Sequence, residues 1–230
     1  MPISTEQNQH IVLDVDRTTF NTDLYLREII RSIACFLSQS DEAIEAKLED
    51  YCHSLTDSTQ FSLDDFIDYL INNLFPKTVK TNDLEENDPN GIKQDLLYFI
   101  QSWLIEEPKL IFPDALVILK ELRQLGFRII FWSQGETTHQ EWKLSFFQRD
   151  GSHELALIAP DKLANDVIEC IPPGAVVVDD KLPVLEQLAT IRSDLQPVWL
   201  DRLNGDGQNC PSHIHHITDL NQLMTLLEVY

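Results

Sequence analysis

Two carboxylates at the end of an apolar run are the residues of this sequence whose types and spacing best suit chemistry. Asp14 directly follows the apolar run Ile11–Leu13, and a single residue separates it from Asp16. A carboxylate can attack phosphorus as a nucleophile, and the covalent intermediate divides one difficult displacement into two easier ones. A second carboxylate can protonate the leaving oxygen and later deprotonate a water molecule. Taken alone, such a pair is more often two loop residues that cap a helix.

Three further apolar runs end in polar groups. Ser133 follows FRIIFW, Lys162 lies in a turn just after ELALI, and Asp179 and Asp180 end AVVVDD. In an open α/β sheet, ligands bind beyond the carboxyl ends of the strands. If these runs are neighbouring strands, their polar ends meet at one edge. This convergence is far more specific than any single pair of acids.

The combination suits transfer of a phosphoryl group. A carboxylate repels a phosphate dianion, so the chemistry requires a divalent cation, and Mg²⁺ prefers carboxylates, water and phosphate oxygens. Asp179 and Asp180 would complete a Mg²⁺ site beside Asp14. Ser133 would donate hydrogen bonds to the transferring oxygens, and Lys162 would neutralise charge on them and on Asp14. An exposed lysine in a turn is common, and Lys143 is a less favoured alternative because it lies in a helix rather than after a strand.

The elements that must position these groups alternate along the second half of the chain. From Pro108 onward helical and strand patterns take turns, which predicts a parallel sheet covered on both faces. Gly126 suits the left-handed position that ends the first of these helices. The predicted strands are residues 10–15, 127–132, 154–158, 175–180 and 197–200, and the predicted helices are 114–125, 136–147, 161–170, 182–191 and 218–229.

Between Thr22 and Glu107 the pattern is helical and poor in strands. We expect four helices there: one over 24–37, one with Ser40 as N-cap, one that starts at Ser62 and stops before Pro76, and one over 92–107. The fold class is therefore α/β, a Rossmann-like parallel core with an inserted helical bundle. We assign residues 1–19 and 109–230 to the core and 20–108 to an acidic helical cap.

The sequence resembles the haloacid dehalogenase superfamily of Asp-dependent phosphatases. IVLDVDRTTFNT is similar to its first motif, DxDxT, with Asp14, Asp16 and Thr18 in register. RIIFWSQG resembles the second motif, a strand that ends in Ser or Thr. Lys162 matches the lysine of the third motif, and VVVDDKLP resembles the acidic fourth motif. The resemblance covers the core, whereas the cap matches only in position and helicity.

The resemblance implies roles for single residues. Asp14 would be the nucleophile and a metal ligand, and Asp16 would give its backbone carbonyl to the metal and its side chain to acid–base work. Asp179 and Asp180 would hold the metal directly or through water. Arg17 stands where the family usually has Gly, and Thr19 where Leu or Val is common. The residues expected to contact substrate are Arg17, Thr18, Gln134 and Gly135.

The predicted function is Mg²⁺-dependent hydrolysis of a small phosphorylated metabolite through an aspartyl-phosphate. A phosphomutase would use the same intermediate. A 2-haloacid dehalogenase is less favoured because displacement at carbon needs neither Asp16 nor the acidic pair. A non-catalytic binding module is the alternative from another class, and the full set of reactive residues weighs against it.

Composition excludes other partners. The net charge of −21, from 17 basic and 38 acidic residues, disfavours binding to nucleic acid or to an anionic membrane. No apolar run approaches the ~20 residues of a membrane span. Widely spaced cysteines and the polar opening MPISTEQNQH lead us to expect a cytoplasmic protein. Cys210, His213, His215 and His216 invite a zinc site, but a solvated loop explains them better.

Overall fold

The computed structural model describes residues 10–55, 61–74, 89–105, 108–147, 155–203, 207 and 209–227. The chain divides into two compact units. The core unit comprises Met1–Thr22 and Lys109–Tyr230, and the inserted unit comprises Asp23–Pro108. The sequence placed the first of these boundaries three residues earlier.

A parallel sheet organises the core unit. Its six described strands lie in the order β3-β2-β1-β4-β5-β6, and every neighbouring pair is parallel. All of their carboxyl ends therefore lie at one edge. The strands are β1 His10–Asp14, β2 Arg128–Gln134, β3 Leu155–Ala159, β4 Val176–Asp179, β5 Gln196–Leu200 and β6 His215–Ile217. The predicted Rossmann-like α/β fold class is confirmed.

The central strands are apolar throughout rather than alternating. Val12 and Val177, which pair across β1 and β4, are fully buried. Such continuous runs arise because a parallel sheet is covered on both faces. Both valines pack in one cluster with Ile130, Trp132 and Leu185. This cluster fixes the strands whose ends carry the polar residues.

The inserted unit is helical, as expected. Ser40 caps one helix by accepting a hydrogen bond from the Ala43 N–H at 3.3 Å, and Ser62 accepts from the Asp65 N–H at 3.3 Å at the start of the next. Lys93 joins the third helix to the fourth through ion pairs at 2.6–2.7 Å. The helices are α1 Thr22–Leu37, α2 Asp41–Ser54, α3 Leu63–Leu74 and α4 Pro89–Ile105. Pro76, the predicted stop signal, lies outside the described residues.

Five further helices belong to the core unit: α5 Pro113–Gln124, α6 Thr137–Ser145, α7 Asn165–Ile168, α8 Leu182–Ile191 and α9 Gln222–Leu226. Gly126 adopts φ +82° after α5, the left-handed conformation predicted for it. No helix of the described residues combines the length and apolar character needed to cross a membrane.

Three predictions for the core elements were wrong. The helix expected over 161–170 is a single turn, and the helix expected over 218–229 spans five residues within the described part of the chain. β5 is not the last strand, because β6 pairs beside it. β6 contains His215 and His216, which we had placed in a solvated loop. Three residues with two histidines carry no apolar run, so pairing with β5 rather than local preference makes this strand.

Candidate active site

The edge of the sheet at the carboxyl ends of its strands holds the polar residues. Asp14 ends β1, which lies between β2 with Ser133 and β4 with Asp179. These three side chains are at most 4% exposed. The apolar strands thus place oxygen groups from three neighbouring chain segments below the surface.

Lys162 comes to the same place from the turn after β3. Its Nζ donates to Asp14 Oδ1 at 2.7 Å and to Asp179 Oδ2 at 2.5 Å. Nζ also lies 4.7 Å from the ring centroid of Trp132, whose Nε1 donates to the Lys162 carbonyl at 3.1 Å. Burial lowers the pKa of Lys162, but Asp14 and Asp179 outweigh it and hold the ammonium in its charged form.

Three carboxylates have the spacing of a cation site. Asp14, Asp179 and Asp180 each offer an oxygen, and these oxygens lie within 4.8 Å of one another. Within the described residues, Asp14 Oδ2 and Asp180 Oδ1 are buried without a hydrogen-bond partner. Orphaned buried carboxylate oxygens are costly unless a cation or donor meets them. The donor set fits a hard divalent cation such as Mg²⁺.

Two of these acids have raised pKa values. Burial raises the pKa of Asp14 to about 8, against the pull of Lys162, and the neighbouring carboxylates add to the rise. Burial and Asp179 raise the pKa of Asp180 to about 6. In both groups, burial and neighbouring negative charge favour the protonated form.

Asp16 has different surroundings although it is two residues from Asp14. Its Oδ1 accepts from Lys143 Nζ at 2.6 Å and from Thr22 Oγ1 at 2.6 Å, and its Oδ2 accepts from Gln140 Nε2 at 3.0 Å. Burial tends to raise the pKa of Asp16, but the charge and hydrogen bond of Lys143 and the other donors lower it below its ordinary value. The side chain is held as a carboxylate.

Sequence reasoning missed the contribution of α6. Lys143 was weighed only as a substitute for Lys162, yet the structure places both lysines at the site, on different aspartates. Gln140 was not considered. Both residues are buried and lie on the same side of α6 as Leu144. Two polar residues at i and i+3 on the apolar face of a helix are the signal that could have revealed them.

The loop after β1 explains one departure from the family motif. Arg17 has φ +60°, a conformation that L-residues other than Asn and Asp seldom adopt and that glycine adopts freely. Its N–H donates to the Phe20 carbonyl at 2.9 Å and to Thr22 Oγ1 at 3.2 Å. The side chain is exposed, and its charge is among those that oppose the rise in the pKa of Asp180 that burial causes.

Arg202, which follows β5, clamps this loop and was also missed. Its guanidinium donates to the carbonyls of Thr18 at 2.7 Å and Arg17 at 3.2 Å. It also binds both oxygens of Asp114 at 2.9 and 3.1 Å and lies 4.0 Å from the ring centroid of Phe112. A forked donor that meets a carboxylate and two carbonyls is specific to arginine. No motif in the sequence marks such a long-range contact.

The four residues expected to contact substrate have unlike surroundings. Arg17 is exposed, whereas Thr18 is fully buried and its hydroxyl has no partner among the described residues. Gln134 Nε2 donates to the Pro160 carbonyl at 2.9 Å, and the N–H of Gly135 donates to the Ala159 carbonyl at 3.0 Å. Their substrate contacts stay predictions.

Cys210 and the three histidines do not form a metal centre in the described part of the chain. The groups of metal-ligand spacing found there contain only aspartates. Cys210 Sγ instead contacts the Ile214 carbonyl at 3.3 Å. His216 packs against Trp199 with ring centroids 5.1 Å apart.

Solved structures of haloacid dehalogenase-like proteins match the chain over almost its full length. A haloacid dehalogenase-like hydrolase from Burkholderia xenovorans is 21% identical with a TM-score of 0.62, over 94% of both chains. The HAD-hydrolase YfnB from Bacillus subtilis, bound to magnesium, is 16% identical with a TM-score of 0.63, over 97% of this chain and 100% of that one. A 2-haloacid dehalogenase from Pseudomonas syringae is 14% identical with a TM-score of 0.60, over 96% and 98%.

No protein-family model and no curated protein sequence matches the chain. The structural matches show that the chain has the haloacid dehalogenase-like fold, which confirms the fold that the sequence motifs implied. Because these identities are low, the argument for activity depends on the site.

Proposed function

We propose that the protein is a Mg²⁺-dependent phosphatase that hydrolyses a small phosphomonoester through an aspartyl-phosphate on Asp14. The observation that carries the proposal is the cluster of Asp14, Asp179 and Asp180, which has two orphaned buried oxygens beside Lys162. One ammonium group beside three carboxylates leaves a deficit of positive charge. A divalent cation would offset that deficit and could also bind an oxygen of a phosphate group.

Asp14 carries the covalent step. Its carboxylate oxygen forms a bond to phosphorus while the bond from phosphorus to the leaving oxygen breaks. Water then attacks the aspartyl-phosphate, which releases inorganic phosphate and restores the carboxylate. Lys162 fixes Oδ1 of Asp14 and keeps the side chain aimed at the edge of the sheet. Mg²⁺, held by Asp14, Asp179, Asp180 and the backbone carbonyl of Asp16, would offset the repulsion between carboxylate and phosphate.

Ser133 and Lys162 act on the phosphoryl oxygens. The Ser133 hydroxyl donates to Gln140 Oε1 at 3.0 Å in the structure, and it would turn to a phosphoryl oxygen when substrate binds. The ammonium of Lys162 would neutralise charge that develops there. The Lys162 ammonium, which Asp14 and Asp179 already hold in place, is a fixed donor and needs no reorganisation during the reaction.

Asp16 serves as the acid and base. Its contacts with Lys143, Gln140 and Thr22 favour the carboxylate, which supports its use as the base that takes a proton from water. To protonate the leaving oxygen, Asp16 must first acquire a proton against these contacts. Alkyl phosphates, whose leaving groups need that proton, should therefore depend on Asp16 more than aryl phosphates do.

The fold does not choose among related reactions, because it is shared by a magnesium-bound hydrolase and a 2-haloacid dehalogenase. The site favours phosphate chemistry. Displacement of halide from carbon has no use for three clustered carboxylates, whose charge would repel a haloacid. A phosphomutase would share the aspartyl-phosphate and return the phosphoryl group to a second position of a sugar phosphate. Analysis of products from sugar phosphates separates these two outcomes.

The test is hydrolysis of an aryl phosphate in the presence of Mg²⁺ by wild-type protein and Asp14→Asn. We expect the variant to lose on the order of 10⁴-fold in kcat, as enzymes do when their nucleophile is removed. Asp166→Asn, which changes an exposed acid on α7, is the matched control and should keep full activity. Wild-type rates in Asp14→Asn would contradict the proposal. Activity that survives exhaustive chelation would contradict the roles of Asp179 and Asp180.

A further inference from the structure

We infer that Gln140 and Lys143 of α6 are positioning residues that hold Asp16 and Ser133 in one hydrogen-bonded unit. The inference rests on the proposed function, because it assigns α6 to the reaction carried by Asp14. Neither side chain needs to touch substrate. Their effect is to set where the acid–base carboxylate and the serine hydroxyl lie before substrate arrives.

Gln140 joins two groups that belong to different strands. Its Oε1 accepts from Ser133 Oγ at 3.0 Å, and its Nε2 donates to Asp16 Oδ2 at 3.0 Å and to the Gln134 carbonyl at 3.3 Å. A neutral carboxamide presents an acceptor and a two-hydrogen donor from one planar group. Glutamate would place a second carboxylate against Asp16, and leucine would leave both partners unsatisfied. The position therefore requires an amide.

The chain also provides the space for this amide. Gly135 has φ +147°, and a Cβ built there would lie 2.8 Å from Gln140 Nε2. A real Cβ does not come that close, so any larger residue at 135 must displace the amide. In the short turn from β2 to α6, Gly135 thus leaves room for the Gln140 side chain to lie against the backbone.

Lys143 lies one turn further along α6 and holds the other oxygen of Asp16. Its Nζ lies 2.6 Å from Oδ1, with the lysine side chain 4% exposed and the aspartate side chain 25% exposed. Nζ is also 5.8 Å from the ring centroid of Phe20. This ion pair fixes geometry because separation of the partners leaves the buried Lys143 ammonium without compensation.

Together the contacts give Asp16 a donor on each oxygen and give Ser133 a fixed acceptor. Asp16 lies two residues beyond β1 and Ser133 is the next-to-last residue of β2, whereas the pairing of the two strands ends at Asp14 and Trp132, so that pairing does not itself align the two side chains. Gln140 supplies that link. A change at α6 should consequently alter kcat, which depends on alignment, and leave KM for the phosphate group nearly unchanged.

The first experiment compares Lys143→Met, Lys143→Arg and Gln140→Leu with Lys120→Met and Gln124→Leu. The last two change exposed residues of α5 and are matched controls. We expect Lys143→Met and Gln140→Leu to lower kcat for an alkyl phosphate by about 10²-fold, as expected when acid–base catalysis fails. Lys143→Arg should recover much of the loss. The aryl phosphate should be affected less, and KM should change little for either substrate.

Several results overturn the inference. Wild-type kcat in Lys143→Met and Gln140→Leu would do so, as would equal losses in the α5 controls. A rise in KM without a fall in kcat would indicate that α6 binds substrate and does not position Asp16. Gly135→Ala provides an independent variant, since it displaces Gln140 without removing it. It should lower kcat for the alkyl phosphate selectively.

The second experiment does not depend on activity. Urea unfolding of wild type, Asp16→Asn, Lys143→Met and the double variant measures whether the two side chains are coupled. We expect the urea midpoint of the double variant to fall by less than the sum of the falls in the two single variants. Additive shifts would overturn the inference whatever the activity. If the cycle is non-additive but wild type turns over no phosphate ester, the proposed function fails and with it the catalytic consequence of α6.

Discussion

The two aspartates of the first motif, Asp14 and Asp16, have opposite surroundings. Asp14 is buried beside Asp179 and Asp180, shares Lys162 with Asp179, and has one oxygen without a partner among the described residues. Asp16 accepts hydrogen bonds at both oxygens. Accordingly burial raises the pKa of Asp14 to about 8, whereas the donors around Asp16 outweigh burial and lower its pKa.

The contrast shows how one short motif can support two chemical roles. β1 ends at Asp14, and the chain then turns, so the side chains two residues apart do not share one environment. Asp14 shares the Lys162 cation with Asp179, and a carboxylate oxygen of Asp180 lies within 4.8 Å of theirs. Asp16 instead forms an ion pair with Lys143 of α6 and accepts hydrogen bonds from Thr22 and Gln140. On the proposed function, their neighbours rather than their own chemistry would divide the two acids into a nucleophile and an acid–base group.

The largest test of this contrast removes the cation that contacts both Asp14 and Asp179. In Lys162→Met, Asp14 and Asp179 remain buried and face each other without compensation. We expect the free energy of unfolding to fall by about 3–5 kcal/mol and kcat to fall on the order of 10²–10³-fold. Urea unfolding and aryl phosphate hydrolysis measure the two effects. Lys120→Met should change neither, and unchanged stability in Lys162→Met would mean that the Asp14 side is not short of positive charge.

We expect Mg²⁺ to stabilise the protein through Asp14 and Asp180 and not through the side chain of Asp16, by an amount that depends on pH. Asp14 and Asp180 have raised pKa values, about 8 and about 6, so the stability that they contribute is fully present below pH ~4 and declines as pH rises through those values. Mg²⁺ binds the charged forms and should reverse that decline. At 100 times its Kd a ligand adds about 2.7 kcal/mol.

We therefore expect Mg²⁺ to raise Tm more at pH 8 than at pH 5, where protons compete for the same oxygens. Differential scanning fluorimetry across this range measures the shift. Asp180→Asn should reduce the shift, and the exposed change Asp166→Asn should preserve it. An equal rise in Tm at both pH values would show that the cation does not bind these carboxylates.

Arg202 tests whether the contrast depends on the loop that follows both aspartates. Arg202→Met removes donors to the Arg17 and Thr18 carbonyls and leaves buried Asp114 without its ion-pair partner, although the N–H groups of Ala115 and Leu220 still donate to it. We expect the free energy of unfolding to fall by about 2 kcal/mol, the scale of a hydrogen bond to a charged group. Arg202→Lys should recover little, since an ammonium cannot form the fork. Full recovery by lysine would show that charge alone holds the loop.

The sequence predicted the parts of the molecule that depend on local pattern. Apolar strands that end in Asp14, Ser133 and Asp179 identified the sheet edge, and the fold implied by the motifs is confirmed. The sequence did not predict strand β6, because its residues have no apolar pattern of their own. Its pairing with β5 supplies the order that its local sequence does not.

The contacts of Lys143 and Gln140 with Asp16 were not predicted, for a related reason. The rule that useful groups follow strand ends found Lys162 and set aside Lys143, which reaches Asp16 from a helix 127 residues away in sequence. Arg202 contacts Thr18 across 184 residues. Contacts of this kind depend on how a helix or loop packs on the sheet. The i, i+3 spacing of Gln140 and Lys143 can mark them as buried polar residues, but it does not show which acid they meet.

The smallest expected effect concerns Arg17. Its N–H contacts Thr22, which donates to Asp16, and its charge acts on Asp180. At φ +60° a Cβ is strained, so Arg17→Gly should be more stable than Arg17→Ala by about 1 kcal/mol. Both variants remove the arginine charge, one of those that oppose the rise in the pKa of Asp180 caused by burial. The pH at which Mg²⁺ loses its effect on Tm should therefore rise equally in both. A shift in only one variant would mean that loop conformation, rather than the charge of Arg17, controls the Asp14 side.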